Sequence, residues 1–74
     1  MWIVAFDIIA DNVREFNRKK RAFYYHLGKL SGLKFISKSV MVVEDREAVE
    51  GLFERVGGIR AVWIKALDVE EVEY

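Results

Sequence analysis

A single aspartate interrupts the end of an otherwise apolar, strand-like run, Trp2-Ile3-Val4-Ala5-Phe6-Asp7-Ile8-Ile9. A carboxylate buried there without a partner costs several kcal/mol, so Asp7 belongs at the strand's mouth, where it can meet a cation, a helix start or a partner. Just downstream, between Val13 and Lys38, lie eight cations (Arg14, Arg18, Lys19, Lys20, Arg21, Lys29, Lys34 and Lys38) against Glu15 alone. An acid beside a stripe of cations is the composition of phosphate chemistry. Oxygen ligands suit a hard ion such as magnesium or manganese, which typically takes one or two protein carboxylates, waters and a substrate phosphate. One Asp7 per chain is a thin metal site, whereas two related by a dimer axis make an adequate one. Asp7 could equally cap the following helix, or pair with Arg14 or with a cation from another strand. Arg14, Arg18, Arg21 and Lys38 are the candidates for holding an RNA or DNA backbone through charge alone.

Other chemistries find little support. His26 is the only histidine and lies in the aromatic turn Phe23-Tyr24-Tyr25-His26-Leu27, with no cysteine or second histidine to complete a metal site. Ser37 and Ser39 have no nearby partner that marks a nucleophile, and a turn role suits them better. Gly57-Gly58 reads as a helix stop because it lacks the strand-glycine-helix context of a phosphate loop.

The net charge is zero, which on its own argues against nucleic acid, but the charge is segregated. From Ser39 to Tyr74 four cations face nine acids. Such a division is expected when one surface meets phosphate and another meets water or a basic partner. At 74 residues the chain reads as one domain, 1–74, and buries only roughly 60% of its unfolded surface. With 53% hydrophobic residues and no cysteine to form disulfides, association is the available remedy, and a homodimer is expected. No apolar run approaches the ~20 residues that span a bilayer, so a soluble, cytoplasmic protein without a membrane partner is expected.

Met1 to Ile9 is apolar on both alternating sets, as in a central strand covered on both faces. Asn12 with Glu15 fits a capping box opening a helix from Val13 to about Leu30. Val13, Phe16, Phe23, Leu27 and Leu30 mark its inner face, with Lys20 on the same stripe, while Arg14, Arg18, Arg21, Tyr25 and Lys29 form an outer cationic ridge. Ser31-Gly32 is read as its stop. Leu33 to Asp45 predicts a short edge strand, a turn near Lys38 and a more buried strand, or else one bent strand. Asp45 caps a second helix to about Val56, with Val49, Leu52, Phe53 and Val56 inward. Ile59 to Leu67 is the last full strand. Asp68 to Tyr74 is too short and acidic to stand alone, and either frays or pairs with the edge of a partner subunit's sheet. The order strand, helix, strand, strand, helix, strand predicts an α+β, ferredoxin-like βαββαβ sandwich whose two helices cover one face of an antiparallel sheet. Since the strands ask for cover on both faces, a second subunit is expected on the other.

The run Trp2-Ile3-Val4-Ala5-Phe6-Asp7-Ile8, the basic helix, a glycine and then Phe35-Ile36-Ser37-Lys38-Ser39-Val40 together resemble the small CRISPR-associated proteins of the Cas-two family. A relative such as a VapD-like ribonuclease shares the same broad superfamily. The resemblance implies a ferredoxin-like homodimer in which the strand-end aspartates approach near the dimer axis, with Asp7 as the metal-binding and catalytic position for magnesium or manganese. It also implies either metal-dependent nuclease activity on RNA or DNA, or a non-catalytic role as the DNA-binding spacer between integrase subunits during capture of foreign DNA. Ser39 falls on the family's Ser-Val step. The chain departs from the pattern in being short and in carrying Met41-Val42-Val43-Glu44 after Val40, so the segment that exchanges between subunits in the family is reduced here to Val69–Tyr74.

Overall fold

A computed structural model describes the whole chain from Met1 to Tyr74. Its elements follow in the order β1 (Trp2–Ile8), α1 (Val13–Leu27), β2 (Leu33–Ser37), β3 (Val40–Val43), α2 (Arg46–Val56), β4 (Ile59–Lys65) and β5 (Asp68–Glu73). The strands form one antiparallel sheet ordered β2-β3-β1-β4-β5, with β1 in the centre. This is the ferredoxin-like arrangement with an added fifth strand, and both helices lie on one face.

Strand alternation assigns the side chains. Val4 and Phe6 of β1, Met41 and Val43 of β3, and Ile59, Ala61 and Trp63 of β4 turn toward the helices and are buried. From the helices, Phe23 and Leu27 of α1 and Val49, Leu52 and Phe53 of α2 meet them. The centre of this core is aromatic. Phe23 and Phe53 stack at 5.8 Å with an 18° interplanar angle, Phe6 lies 4.9 Å from Phe23, and Trp63 lies 6.0 Å from Phe53. Fully burying one such ring contributes about 1.5–3 kcal/mol, a large share of a small domain's stability.

Both helices open as their sequences direct. The Asn12 side chain accepts from the amide of Glu15 at 2.8 Å, and Asp45 accepts from the amide of Ala48 at 3.3 Å. The Asn12–Glu15 box forms only by half, because Glu15 reaches forward to Lys19 at 3.1 Å. The α1 helix stops at Leu27, one turn before the expected end, and Gly28 to Leu30 form a tighter turn bonded back to Tyr24, His26 and Leu27. Gly32, with φ of 73°, opens β2 instead of closing the helix. Val13 and Phe16, expected in the core, are exposed at 75% and 38%. The turn at Lys38-Ser39 divides β2 from β3 as expected, with a bulge at Ile36. At the other hairpin, β4 ends at Lys65 and the chain reverses through Ala66, whose φ is 53°, and the exposed Leu67.

Gly58 is needed twice. Its φ is 67°, and a Cβ placed on it would lie 2.9 Å from the carbonyl oxygen of Ile9, the residue whose amide bonds the Gly58 carbonyl. The strand-end of β1 and the start of β4 are pinned together at this point.

The acidic tail neither frays nor lacks a partner within its own chain. β5 pairs with β4 from Arg60↔Glu73 to Lys65↔Asp68, and Tyr74 exchanges backbone hydrogen bonds with Gly58 and Ile59. A polar latch fixes it to α2. Arg46 bonds Glu50 at 3.0 Å and both carboxylate oxygens of Glu70 at 2.9 and 3.0 Å, while its guanidinium lies over the Trp2 and Trp63 rings at 4.5 and 4.7 Å. The Tyr74 hydroxyl accepts from Trp63 Nε1 at 2.8 Å and donates to Glu50. Burial, followed by donation to the Glu50 carboxylate, pushes the Tyr74 hydroxyl up to about 12. The unfolded chain releases this proton near the ordinary tyrosine value of about 10. The latch's contribution is therefore complete below that pH and is lost as pH rises toward 12. In urea unfolding followed by circular dichroism, stability is expected to fall between pH 10 and 12, and Tyr74→Phe should be less stable at pH 7 yet flatter across that alkaline window. An equally steep alkaline loss in the variant would assign the effect to other groups.

Candidate nucleic-acid interface

Asp7 lies one residue before the end of β1, where the strand leaves the sheet. In register it faces Arg60, but the Arg60 guanidinium turns to Glu73 at 3.1 Å, and no ion pair within the chain engages Asp7. Neither Arg14 nor any helix amide takes it, so the capping and pairing alternatives are not what the fold uses. Its carboxylate is exposed.

The β2–β3 turn closes against this strand end. The amide of Phe6 donates to the carbonyl of Ser39 at 2.9 Å, and the Tyr24 hydroxyl of α1 donates to the carbonyl of Lys38 at 3.3 Å. Between these three elements opens a cleft of about 450 Å³, lined by Phe6, Asp7, Ile8, Phe16, Lys20, Tyr24, Lys38 and Ser39. Asp7 and Lys38 thus meet in one place. The predicted arginines do not join them, since Arg14, Arg18 and Arg21 ride on the outer surface of α1. Arg21 lies toward the cleft, beside Asn17, Lys20, Tyr24 and Tyr25, whereas Arg18 lies toward α2, beside His26 and Arg55.

Every one of these cations is exposed, and of the cations on α1 only Lys19 has an ion-pair partner, Glu15. Lys29, just beyond the helix, lies 4.4 Å over the Tyr25 ring. A helix face with unneutralised charges and interleaved tyrosines can attract a polyanion and stack on its bases. His26 is half-buried with the Tyr25 ring at 5.3 Å, as suits a packing residue.

Three cleft residues escaped the reading from sequence. The helical period places Phe16 and Lys20 on the inner stripe of α1 and gives Tyr24 no face. The signal available was their spacing of four and four, which keeps Phe16, Lys20 and Tyr24 adjacent along the helix.

The other face of the sheet has no cover from its own chain. Register defines its rows as Lys34-Val42-Ile3-Ile64-Val69, then Ser37-Val40-Ala5-Val62-Glu71, then Asp7-Arg60-Glu73. The middle is aliphatic, with lysine at the β2 edge and glutamate at the β5 edge. No three histidine, aspartate or glutamate side chains cluster as a metal-ligand set within the chain. No helix is long and apolar enough to cross a membrane. Comparison with known proteins adds no relative: no family model, curated protein or solved structure matches the chain.

Proposed function

We propose that this protein is a nucleic-acid-binding homodimer in which two chains meet through their open sheet faces and α1 presents its cations to a phosphate backbone. The resemblance to the Cas-two family assigns such a dimer to capture of foreign DNA, in company with an integrase. The observation that carries the reading is the set of unpaired cations on α1: Arg14, Arg18, Lys20 and Arg21 are all exposed and none is neutralised within the chain.

Dimerisation follows from the open face. A band of Ile, Val and Ala across β3, β1 and β4 is of the kind that sheet-on-sheet packing buries. A two-fold axis parallel to the strands lays the Lys34 edge of one sheet over the Glu71 and Glu73 edge of the other, so the charges complement as the aliphatic centres meet. Ile3→Lys puts a charge at the centre of this face without touching the helix-side core. The variant is expected to sediment as a monomer with an unchanged circular dichroism spectrum, while the parent sediments as a dimer at micromolar concentration. A parent that stays monomeric would remove the dimer.

Backbone binding makes a second demand. Each phosphate contact releases counterions, so log K falls with log salt at a slope of about 0.9 per contact on duplex and about 0.7 on single strands. Replacing Arg14, Arg18 and Arg21 together by alanine should lower affinity similarly for every sequence and reduce that slope by about 2–3. Fluorescence-anisotropy titrations at several salt concentrations measure both, and an unchanged slope excludes these arginines from the interface.

The free Asp7 carboxylate favours a catalytic reading of the same dimer. A single chain offers one carboxylate with Ser39 nearby, too few for a metal; two Asp7 side chains from facing subunits, with waters and a substrate phosphate, fit the usual ligand set of magnesium or manganese. Such an ion supplies Lewis acidity toward a phosphoryl oxygen and an attacking water. The chain's own residues hold the backbone in place through α1 and position Asp7 at the strand end. Asp7→Asn is expected to abolish magnesium-dependent cleavage of a labelled strand with little change in its affinity. Equal cleavage by parent and variant would place the chemistry elsewhere, and no cleavage by the parent would leave a binding scaffold.

A further inference from the structure

The cleft between α1, the end of β1 and the β2–β3 turn has chemistry that backbone binding alone does not use. Contacts along a phosphate backbone need exposed cations, which the arginines already provide. The cleft adds a concave volume of about 450 Å³ with an aromatic wall, within the range of small-molecule sites and large enough for one nucleotide. Phe16 and Tyr24 are exposed at 38% and 39% and present apolar ring surface to the cleft. Tyr24 is held rigidly for a stacking role: its ring lies 6.1 Å from Phe35 at 31° and 5.2 Å from Phe23 at 88°, and its hydroxyl is fixed on the Lys38 carbonyl. Lys20 stands between Phe16 and Tyr24 along the helix, and Lys38 closes the opposite wall. Neither lysine has an ion-pair partner, so the cleft carries two cations against the one carboxylate of Asp7.

We propose that this cleft seats a single unstacked nucleotide of a bound strand, its base against Phe16 and Tyr24 and its phosphate between Lys20 and Lys38. The inference rests on the nucleic-acid reading above and narrows it: the protein prefers single-stranded or locally opened substrate, because a base within a duplex cannot turn into the cleft without losing its own stacking. The occupant's phosphate then lies beside Asp7, where cleavage is proposed. Ser39 and Asp7 supply acceptors for the sugar and base edges, and the bulk of the interaction is sequence-tolerant stacking.

The test uses an oligonucleotide carrying one 2-aminopurine, whose fluorescence reports loss of neighbour stacking and capture by an aromatic side chain. The full-length parent should change the signal on binding single strands and bind duplex of the same length more weakly. Phe16→Ala, at a half-exposed position, should lose the signal and weaken single-strand affinity roughly ten-fold while leaving duplex affinity unchanged. Lys20→Ala provides a second variant that removes charge without opening the core; it should lose the 2-aminopurine signal and weaken single-strand affinity more than duplex affinity, which also falls because Lys20 is one of the backbone-facing cations of α1. If both variants keep parental signal and affinity while binding still falls with salt, the cleft inference fails and the backbone reading stands. If the parent binds no strand at low salt, both fail. A third arm titrates free 2-aminopurine riboside monophosphate: much weaker binding than the strand supports the assignment, and equal or tighter binding overturns it in favour of a small-ligand site.

Discussion

Phe23 and Phe53 stack on each other above Phe6, with Trp63 alongside, and this contact is where both helices meet each other and the sheet. In a chain with 12 buried residues, all of them apolar, those four rings are the largest side chains of the core. Placing every large ring on the helix side has a consequence for the reverse face. There β3, β1 and β4 carry Ile, Val and Ala in two rows, with Asp7 and Arg60 only at the strand end, and the aliphatic rows are suited to lying against a similar sheet roughly 10 Å away. The same packing that completes the helix-side core thus leaves the other side incomplete in a particular way.

Charge is divided by an equally specific arrangement. The C-terminal half holds nine acids and four cations, and two of those cations, Arg46 and Arg60, engage Glu50, Glu70 and Glu73. The remaining acids stay near α2 and β5, because β5 is tied to β4 in register and to α2 through Arg46 and Tyr74. None of them forms an ion pair with a cation of α1. Segregation along the chain therefore becomes segregation in space, and Arg14, Arg18, Lys20 and Arg21 keep their full charge. For Arg46 itself, burial works against the charged form, but the hydrogen bonds it donates to Glu70 and Glu50 outweigh it and hold its pKa above the ordinary arginine value. The latch also bears on strand exchange: moving β5 and Tyr74 to another subunit would leave Trp63 Nε1 without its partner and Arg46 with Glu50 alone inside its own chain, contacts that an exchanged strand must restore.

The sequence made the order of elements legible because each is signalled by local chemistry. Two-faced apolarity marks β1 and β4, Asp45 opens α2 and Gly57 closes it at Val56, and Ser37-Lys38-Ser39 breaks β2 from β3. What it did not convey depends on partners far along the chain. The period of α1 reveals a face but not where the sheet beneath that face ends, so Val13 and Phe16 read as core when they overhang it. The stability of β5 could not be read from Asp68-Val69-Glu70-Glu71-Val72-Glu73, because its acids are answered by Arg46 and Arg60 and its last anchor is the Tyr74 hydroxyl on Trp63 and Glu50. Asp7 was visible as an anomaly in a strand. The cleft around it was not, since that requires knowing that the Lys38-Ser39 turn folds back onto Phe6 and Tyr24.

Asp7 also joins two surfaces that the chain otherwise keeps apart. In register it belongs to the open sheet face, in the row with Arg60 and Glu73, yet it borders the cleft formed with α1. The strand end is the one part of β1 where a side chain can serve both, because beyond Ile8 the chain turns away, fixed by the Ile9–Gly58 hydrogen bond of 2.6 Å. Earlier positions on the same face, Ile3 and Ala5, are flanked by β3 on one side and β4 on the other and lie on the side of the sheet away from α1. If two sheets meet through their open faces, Asp7 stands at the seam, with the partner on one side and the cationic helix on the other. In the isolated subunit water solvates this exposed carboxylate; a seam closing over it would remove that water and would call for a cation, or a phosphate that brings one, in its place. Association, charge and the position of this one acid are thereby linked through the geometry of a single strand end.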